Sequence, residues 1–191
     1  MPTITLPGPD RGLQRYTTRP PRVFPAARPP FNRVALAAAH VVADPLADGD
    51  PWLEAAIDWD ATIDYRQYLW SLGLGVAEAM DTAQRGMGLD WPTSLELIRR
   101  SLAAAPPGAI IACGAGTDHL ANGASLEQVI EAYEMQCAQV EKLGGHIILM
   151  ASRALAAAAR SPDDYKWVYG RILRQVANPV ILHWLGDMFD P

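Results

Sequence analysis

The sequence predicts an α/β fold, a partial TIM (β/α)8 barrel of about the first five β/α units with parallel strands. Three observations predict it. Strand-like and helix-like patterns alternate in strict order along the chain. Each strand-like run passes into polar or glycine-rich residues at its C-terminal end, where a parallel barrel carries its active site. The 191 residues also fall short of the roughly 250 of a complete eight-unit barrel. The last strand-like run, NPVILHWLGDMFDP (178–191), stops soon after it begins, so the sequence reads as the front part of an enzyme.

The elements follow from local chemistry. Residues 1–33 form a proline-rich N-terminal arm, with eight prolines that include the Pro20-Pro21 and Pro29-Pro30 pairs. Proline removes backbone donors and fixes φ, so neither a helix nor a central strand fits there. Within the arm, ITLPGPDRGLQRY (4–16) reads either as a small hairpin turning at Pro7 to Gly12 or as an extended surface segment. An incomplete (β/α) barrel domain then occupies 34–191. VALAAAHVVADP (34–45) is its first strand, a continuous apolar run of the kind buried parallel strands show. A loop holding Trp52 and Trp59 follows, and Asp60 opens a helix. Ala61, Tyr65, Tyr68, Leu69 and Leu72 recur there at helical spacing until Gly73.

GVAEAM (75–80) is the second strand, continued by a polar, glycine-bearing loop. Pro92 sits at a first helical position, Leu95, Ile98 and Leu102 form the apolar stripe, and Pro106-Pro107-Gly108 stops the helix. AIIACGAGTDHL (109–120), the clearest strand, runs into GAGTD. Ser125 and Gln128 make a capping box for a helix whose buried face is Leu126, Val129, Ile130, Tyr133, Cys137 and Val140. Gly144-Gly145 ends that helix, HIILM (146–150) is the fourth strand, and ASRALAAAAR (151–160) is a short helical insertion. Ser161 and Pro162 start the next helix, with Asp163 and Asp164 near its positive end. Tyr165, Val168, Ile172 and Val176 line one face of it, and Pro179 opens the fifth strand, PVILHW.

Half of the residues are apolar, enough for a substantial core. A net charge of −5 argues against a nucleic-acid partner, which would want a basic stripe. No run of about 18 apolar residues is present, so no membrane partner is expected. Cys113 and Cys137 have no paired spacing and read as reduced core residues, which points to a cytoplasmic protein.

Collecting what lies at the strand tips gives the candidate site. The first strand delivers His40 and Asp44, the second Glu78, Asp81 and Thr82, and the third Gly114, Gly116, Thr117, Asp118 and His119. The fourth delivers Ser152 and Arg153, and the fifth His183, Trp184 and Asp187. His183 is the candidate catalytic residue, because an imidazole transfers protons well near neutral pH. Thr82, Asp81, Gly116, Thr117, Asp118, His40 and Arg153 are the candidate substrate-binding residues.

The order and character of five segments resemble the dihydrodipicolinate synthase / N-acetylneuraminate lyase superfamily of class I aldolases, and most closely a dihydrodipicolinate synthase-like branch. These segments are VALAAAHVVADP (34–45), GVAEAMDTAQRGMGLDWPT (75–93), AIIACGAGTDHL (109–120), GGHIILMASR (144–153) and NPVILHWLGD (178–187). The resemblance implies a lyase acting on a keto-acid or related small carbonyl substrate, without a cofactor. Its nucleophile is a lysine on the sixth strand that forms a Schiff base with the carbonyl. Where the family holds a proton-shuttling tyrosine, this chain has His183. Where the family binds the keto-acid carboxylate with two hydroxyl residues, this chain has Asp81-Thr82. Thr82 offers such a hydrogen bond, and Asp81 repels a carboxylate. The chain's only lysines, Lys142 and Lys166, fall on outer helices, so these 191 residues alone are expected to be inactive as a Schiff-base aldolase.

Two other readings compete. Glu78, Asp118, His119, His183 and Asp187 are oxygen and nitrogen donors at different strand tips, a workable set for a divalent metal in a lyase or isomerase. Alternatively the partial barrel is non-catalytic. Its open strand edges favour self-association, so a homo-oligomer is expected.

Overall fold

The computed structural model describes residues 1–23, 32–50 and 53–186. The Pro29-Pro30 pair, Trp52 and Asp187 lie outside the described residues. In the N-terminal arm, β1 (Thr3–Pro7) and β2 (Leu13–Thr17) pair antiparallel, Thr3 opposite Thr17 and Pro7 opposite Leu13. The turn is closed by Gly8 N donating to Gly12 O at 2.7 Å, and every strand residue of the hairpin is exposed. Of the two sequence readings of the arm, the hairpin is the one found.

The remaining elements are β3 (Leu36–Ala38), α1 (Trp59–Ser71), β4 (Gly75–Glu78), α2 (Trp91–Ala104), β5 (Ile111–Ala115), α3 (Leu126–Lys142), β6 (His146–Leu149), α4 (Arg153–Ala158), α5 (Pro162–Leu173) and β7 (Ile181–Leu182). The strands form one five-stranded, all-parallel sheet in the order β3-β4-β5-β6-β7. Strict sequence order matters. Crossovers of one hand that never reverse direction put every helix on the same face of the sheet, which is the wall of a barrel rather than a doubly wound sheet.

Alternation along each strand divides the core in two. Val76, Ile111, Cys113, Ala115, Ile147 and Leu149 face the helices and pack with Leu97, Ile98, Val129, Tyr133, Val140, Val168 and Ile172. Ala77, Ala112 and Ile148 face the other way and meet Met80, Met150 and Leu36 in a smaller inner cluster. Each fully buried Leu, Ile or Val contributes about 1.5–3 kcal/mol, so the outer layer supplies most of the stability.

Side-chain caps start the helices, but α1 begins at Trp59 behind Asp58 rather than at Asp60, and Pro92 is the second residue of α2 rather than the first. Asp58 and Asp90 accept from Ala61 N and Thr93 N, both at 2.9 Å. Ser125 and Gln128 form the reciprocal capping box. In α1, however, the buried residues are Thr62, Arg66, Leu69 and Trp70, while Tyr65 and Tyr68 are exposed. The apolar spacing sets the wrong phase because an ion pair, not a tyrosine stripe, turns this helix toward the sheet.

Candidate functional site

The second barrel strand ends in two residues that point to opposite sides. Glu78 faces the helices and is fully buried. Its carboxylate takes a two-pronged bond from Arg66, with Nε to Oε2 at 2.9 Å and Nη2 to Oε1 at 2.8 Å. It also accepts from Ser101 Oγ and from Ala79 N. Arg66 spends its remaining donors on the carbonyls of Thr62, His40 and Ala39. Every strong partner is met inside the wall, as a buried charge requires.

Ala79 then adopts the left-handed conformation, φ 54°, at a cost of about 1 kcal/mol for a residue with a Cβ. That kink swings Met80 into the barrel side and starts a short 3-10 turn, Asp81–Ala83. The chain doubles back and brings Arg85 under the mouth, 4% exposed. Arg85 Nη1 donates to Gly114 O at 2.7 Å and to Ala79 O at 3.3 Å. Arg85 Nη2 donates to Gln136 Oε1 at 2.7 Å and to Asp118 Oδ1, while the guanidinium lies over the Trp91 ring. Burial pulls the Arg85 pKa below its ordinary value, and the charge and hydrogen bond of Asp118 oppose that pull.

Gln136, on the buried face of α3, ties the next strand tip to this arginine. Its Oε1 also accepts from Gly116 N at 2.7 Å, and its Nε2 reaches Asp118 Oδ1 at 3.3 Å and His119 Nδ1 at 2.9 Å. Close by, the Thr117 and Ser152 hydroxyls bond each other at 2.6 Å, and Ser152 Oγ accepts from Leu155 N to cap α4. The glycines of GAG have separate reasons. A Cβ on Gly114 would sit 2.7 Å from Ala79 O and from Met150 Sδ, and one on Gly116 would crowd Asp118 Oδ1 at 3.3 Å.

These tips enclose a cavity of about 420 Å³ whose wall includes Asp81, Arg85, Gly116, Thr117, Asp118 and Arg153. The fold therefore gathers six of the residues singled out from sequence: Asp81, Gly116, Thr117, Asp118, Ser152 and Arg153. It does not gather the others. His40 is exposed and contributes its carbonyl to Arg66. Thr82 is not part of the cavity wall, and its Oγ1 is buried with no partner among the described residues. His183 continues the sheet through its N–H to Leu149 O at 3.0 Å, and its Nδ1 is buried with no partner among the described residues; it is not part of the cavity wall.

The candidate metal set is scattered. Glu78 is locked on the helical side by Arg66, His119 is held through Gln136, and Asp187 lies outside the described residues. Among the described residues no group of three or more His, Cys, Asp or Glu is placed to hold a metal ion. Burial raises the thiol pKa of both cysteines, that of Cys137 to about 12, so both stay protonated core groups. Lys142 is the last residue of α3, and Lys166 pairs with Asp163 at 2.9 Å on the exposed side of α5. A second, more open hollow of about 510 Å³, between the start of α3 and the α4–α5 link, contains none of the strand-tip residues. No helix among the described residues is long and apolar enough to cross a membrane.

Two residues that organise the mouth, Arg85 and Gln136, escape a sequence reading. Gln136 left a signal: it falls three residues after Tyr133 and seven after Val129 on the apolar stripe of its helix, where a polar residue must find a buried partner. Arg85 left none, because it sits in a loop whose path depends on the Ala79 kink.

Comparison with known proteins comes from three directions. Among solved structures, a dihydrodipicolinate synthase family protein from Coccidioides immitis is 20% identical with a TM-score of 0.57, over 78% of this chain and 43% of that one. YagE, a prophage protein of the dihydrodipicolinic acid synthase family from E. coli K12 determined with pyruvate, is 13% identical with a TM-score of 0.59, over 84% and 47%. N-acetylneuraminate lyase from Mycoplasma synoviae is 12% identical with a TM-score of 0.56, over 80% and 46%. The chain thus spans less than half the length of each of these proteins and shares their fold, a partial (β/α)8 barrel. No curated protein matches it. Residues 4–191 match the family described as "protein of unknown function (DUF993)", and with nearly its whole length inside that match, the chain belongs to the DUF993 family.

Proposed function

We propose that these residues form the substrate mouth of a lyase of the dihydrodipicolinate synthase / N-acetylneuraminate lyase kind, one that makes or breaks a C–C bond beside the carbonyl of a keto acid or related small molecule. The observation that carries the reading is the cavity at the C-terminal tips of β4, β5 and β6, lined by Thr117, Arg153, Asp81 and Asp118. A barrel enzyme builds its site at that end. In this reading Thr117 and Arg153 hold the carbonyl-bearing end of the substrate. His183, which follows the last strand and lies outside the cavity wall, is the proton-transfer group in this reading, with an Nδ1 that has no partner among the described residues. Neither Lys142 nor Lys166 lies at the mouth, so residues 1–191 bind the carbonyl compound without condensing with it.

The test uses the 191-residue chain and pyruvate. Millimolar pyruvate is expected to shift the amide signals of Gly116 and Thr117, and borohydride is expected to trap no adduct. A trapped adduct on Lys142 or Lys166 would overturn the assignment of the lysines, and unshifted mouth amides would overturn the site. The same reading makes the protein cytoplasmic and homo-oligomeric. The exposed Ile181, Leu182 and Trp184 at the β7 edge support association, and light scattering that returned a monomer would refute it.

A further inference from the structure

We propose that Asp118 is the specificity-determining acceptor of the mouth, that it selects carbonyl substrates bearing a hydroxyl group, and that Arg85 and Gln136 are its positioning residues; the inference rests on the carbonyl-binding reading above. One oxygen of the Asp118 carboxylate is taken. Oδ1 accepts from Arg85 Nη2 and from Gln136 Nε2. Both anchors are themselves fixed, Arg85 by Gly114 O and the Trp91 face, Gln136 by the amide of Gly116. The carboxylate therefore cannot swing. Its other oxygen, Oδ2, accepts no hydrogen bond among the described residues, and the side chain, one-fifth exposed, lines the cavity.

An ionised carboxylate only accepts hydrogen bonds. The reacting end of a keto acid, with its carbonyl and carboxylate oxygens, also only accepts, so it has nothing to offer this wall. Asp81, the neighbouring wall residue from the β4 turn, has the same character. A donor on the substrate must meet the β4–β5 side, while the Thr117 and Arg153 side takes the acceptor end. The donor is neutral rather than cationic, because the charges on the cavity wall cancel: Arg85 and Arg153 stand against Asp81 and Asp118. A hydroxyl group satisfies both conditions.

Pyruvate and hydroxypyruvate differ by that one group and are the probes. Titrated into the isotope-labelled 191-residue chain and followed at the mouth amides, hydroxypyruvate is expected to bind about tenfold more tightly than pyruvate, the scale of one hydrogen bond to a charged partner. Asp118→Ala removes the acceptor and leaves nothing in its place to pair with the hydroxyl, so the ratio is expected to fall to about one. Asp163→Asn, on the exposed side of α5 and away from the cavity, is expected to leave the ratio in place. Equal binding of both probes to the unaltered chain overturns the acceptor and leaves the carbonyl-binding reading standing. A folded Asp118→Ala chain that keeps the preference, or an Asp163→Asn chain that loses it, also overturns the acceptor. If neither probe shifts the mouth, both readings fall. Should Asp118→Ala unfold, the ratio in the unaltered chain and in Asp163→Asn still decides.

Discussion

Two arginine–carboxylate pairs flank the same strand, and they differ in what they leave over. Arg66 and Glu78 are both fully buried between β4 and the helices, and the serine, amide and carbonyl partners around them use the remaining polar atoms. Arg85 and Asp118 lie at the C-terminal end of the sheet, where the arginine is buried and the acid, its side chain one-fifth exposed, lines a cavity. The chemistry is the same in each. A closed pair orients a helix; a pair with one uncommitted oxygen is available to a ligand. Residue type alone, read at a strand tip, does not separate the two cases, and Glu78 and Asp118 look equally promising in the sequence.

The sharpest way to break this contrast is to remove each acid. Glu78→Ala leaves Arg66 charged and unpaired in a dry layer, which is expected to cost about 3–5 kcal/mol in denaturant unfolding. Such a loss would consume much of the stability of an ordinary domain. Asp118→Ala is expected to cost about 1–3 kcal/mol, because Gly114 O and Gln136 still hold Arg85 and water reaches the vacated place. Equal losses would erase the distinction between closed and open pairs. Gly114→Ala, which presses a methyl onto the Ala79 carbonyl beside Arg85, is expected to lose about 1–3 kcal/mol and to loosen the open pair without touching the closed one.

Ala79→Gly, between the two pairs, is expected to change stability by about 1 kcal/mol or less. Relief of the left-handed strain at φ 54° is offset by the greater freedom of the unfolded chain. The smallest effect belongs to an exposed control. Glu96 on α2, hydrogen-bonded by Arg99 and Arg100, has its carboxyl pKa lowered to about 2. Its contribution is present above the ordinary carboxylate range and is lost as pH falls through about 2. Because the pair is solvent-screened, Glu96→Gln should barely alter a pH titration of stability.

Much of the scaffold was legible because its signals are local. The capping box at Ser125 and Gln128, the proline stop after α2 and the apolar run into GAGTD each state their structure within a few residues, and the parallel order follows from them. The phase of α1 was not legible, since Arg66 faces inward only because Glu78 waits there twelve residues later. The mouth was half legible. Position at a strand tip collected Asp81, Thr117, Asp118 and Arg153, but the same rule also collected Glu78 and Thr82, because the left-handed turn at Ala79 decides which side chains face inward. Arg85 and Gln136 act across 29 to 51 residues of chain, a distance that no local pattern encodes.

The Gln136 amide has a consequence for its neighbour. With Oε1 held by two donors, Arg85 and the Gly116 amide, the side chain cannot flip, and its Nε2 has only hydrogens to present to His119. His119 Nδ1 must therefore meet it with a lone pair. The imidazole is confined to the tautomer that carries its proton on Nε2, so a glutamine buried on a helix dictates which ring nitrogen of a surface histidine gives and which receives.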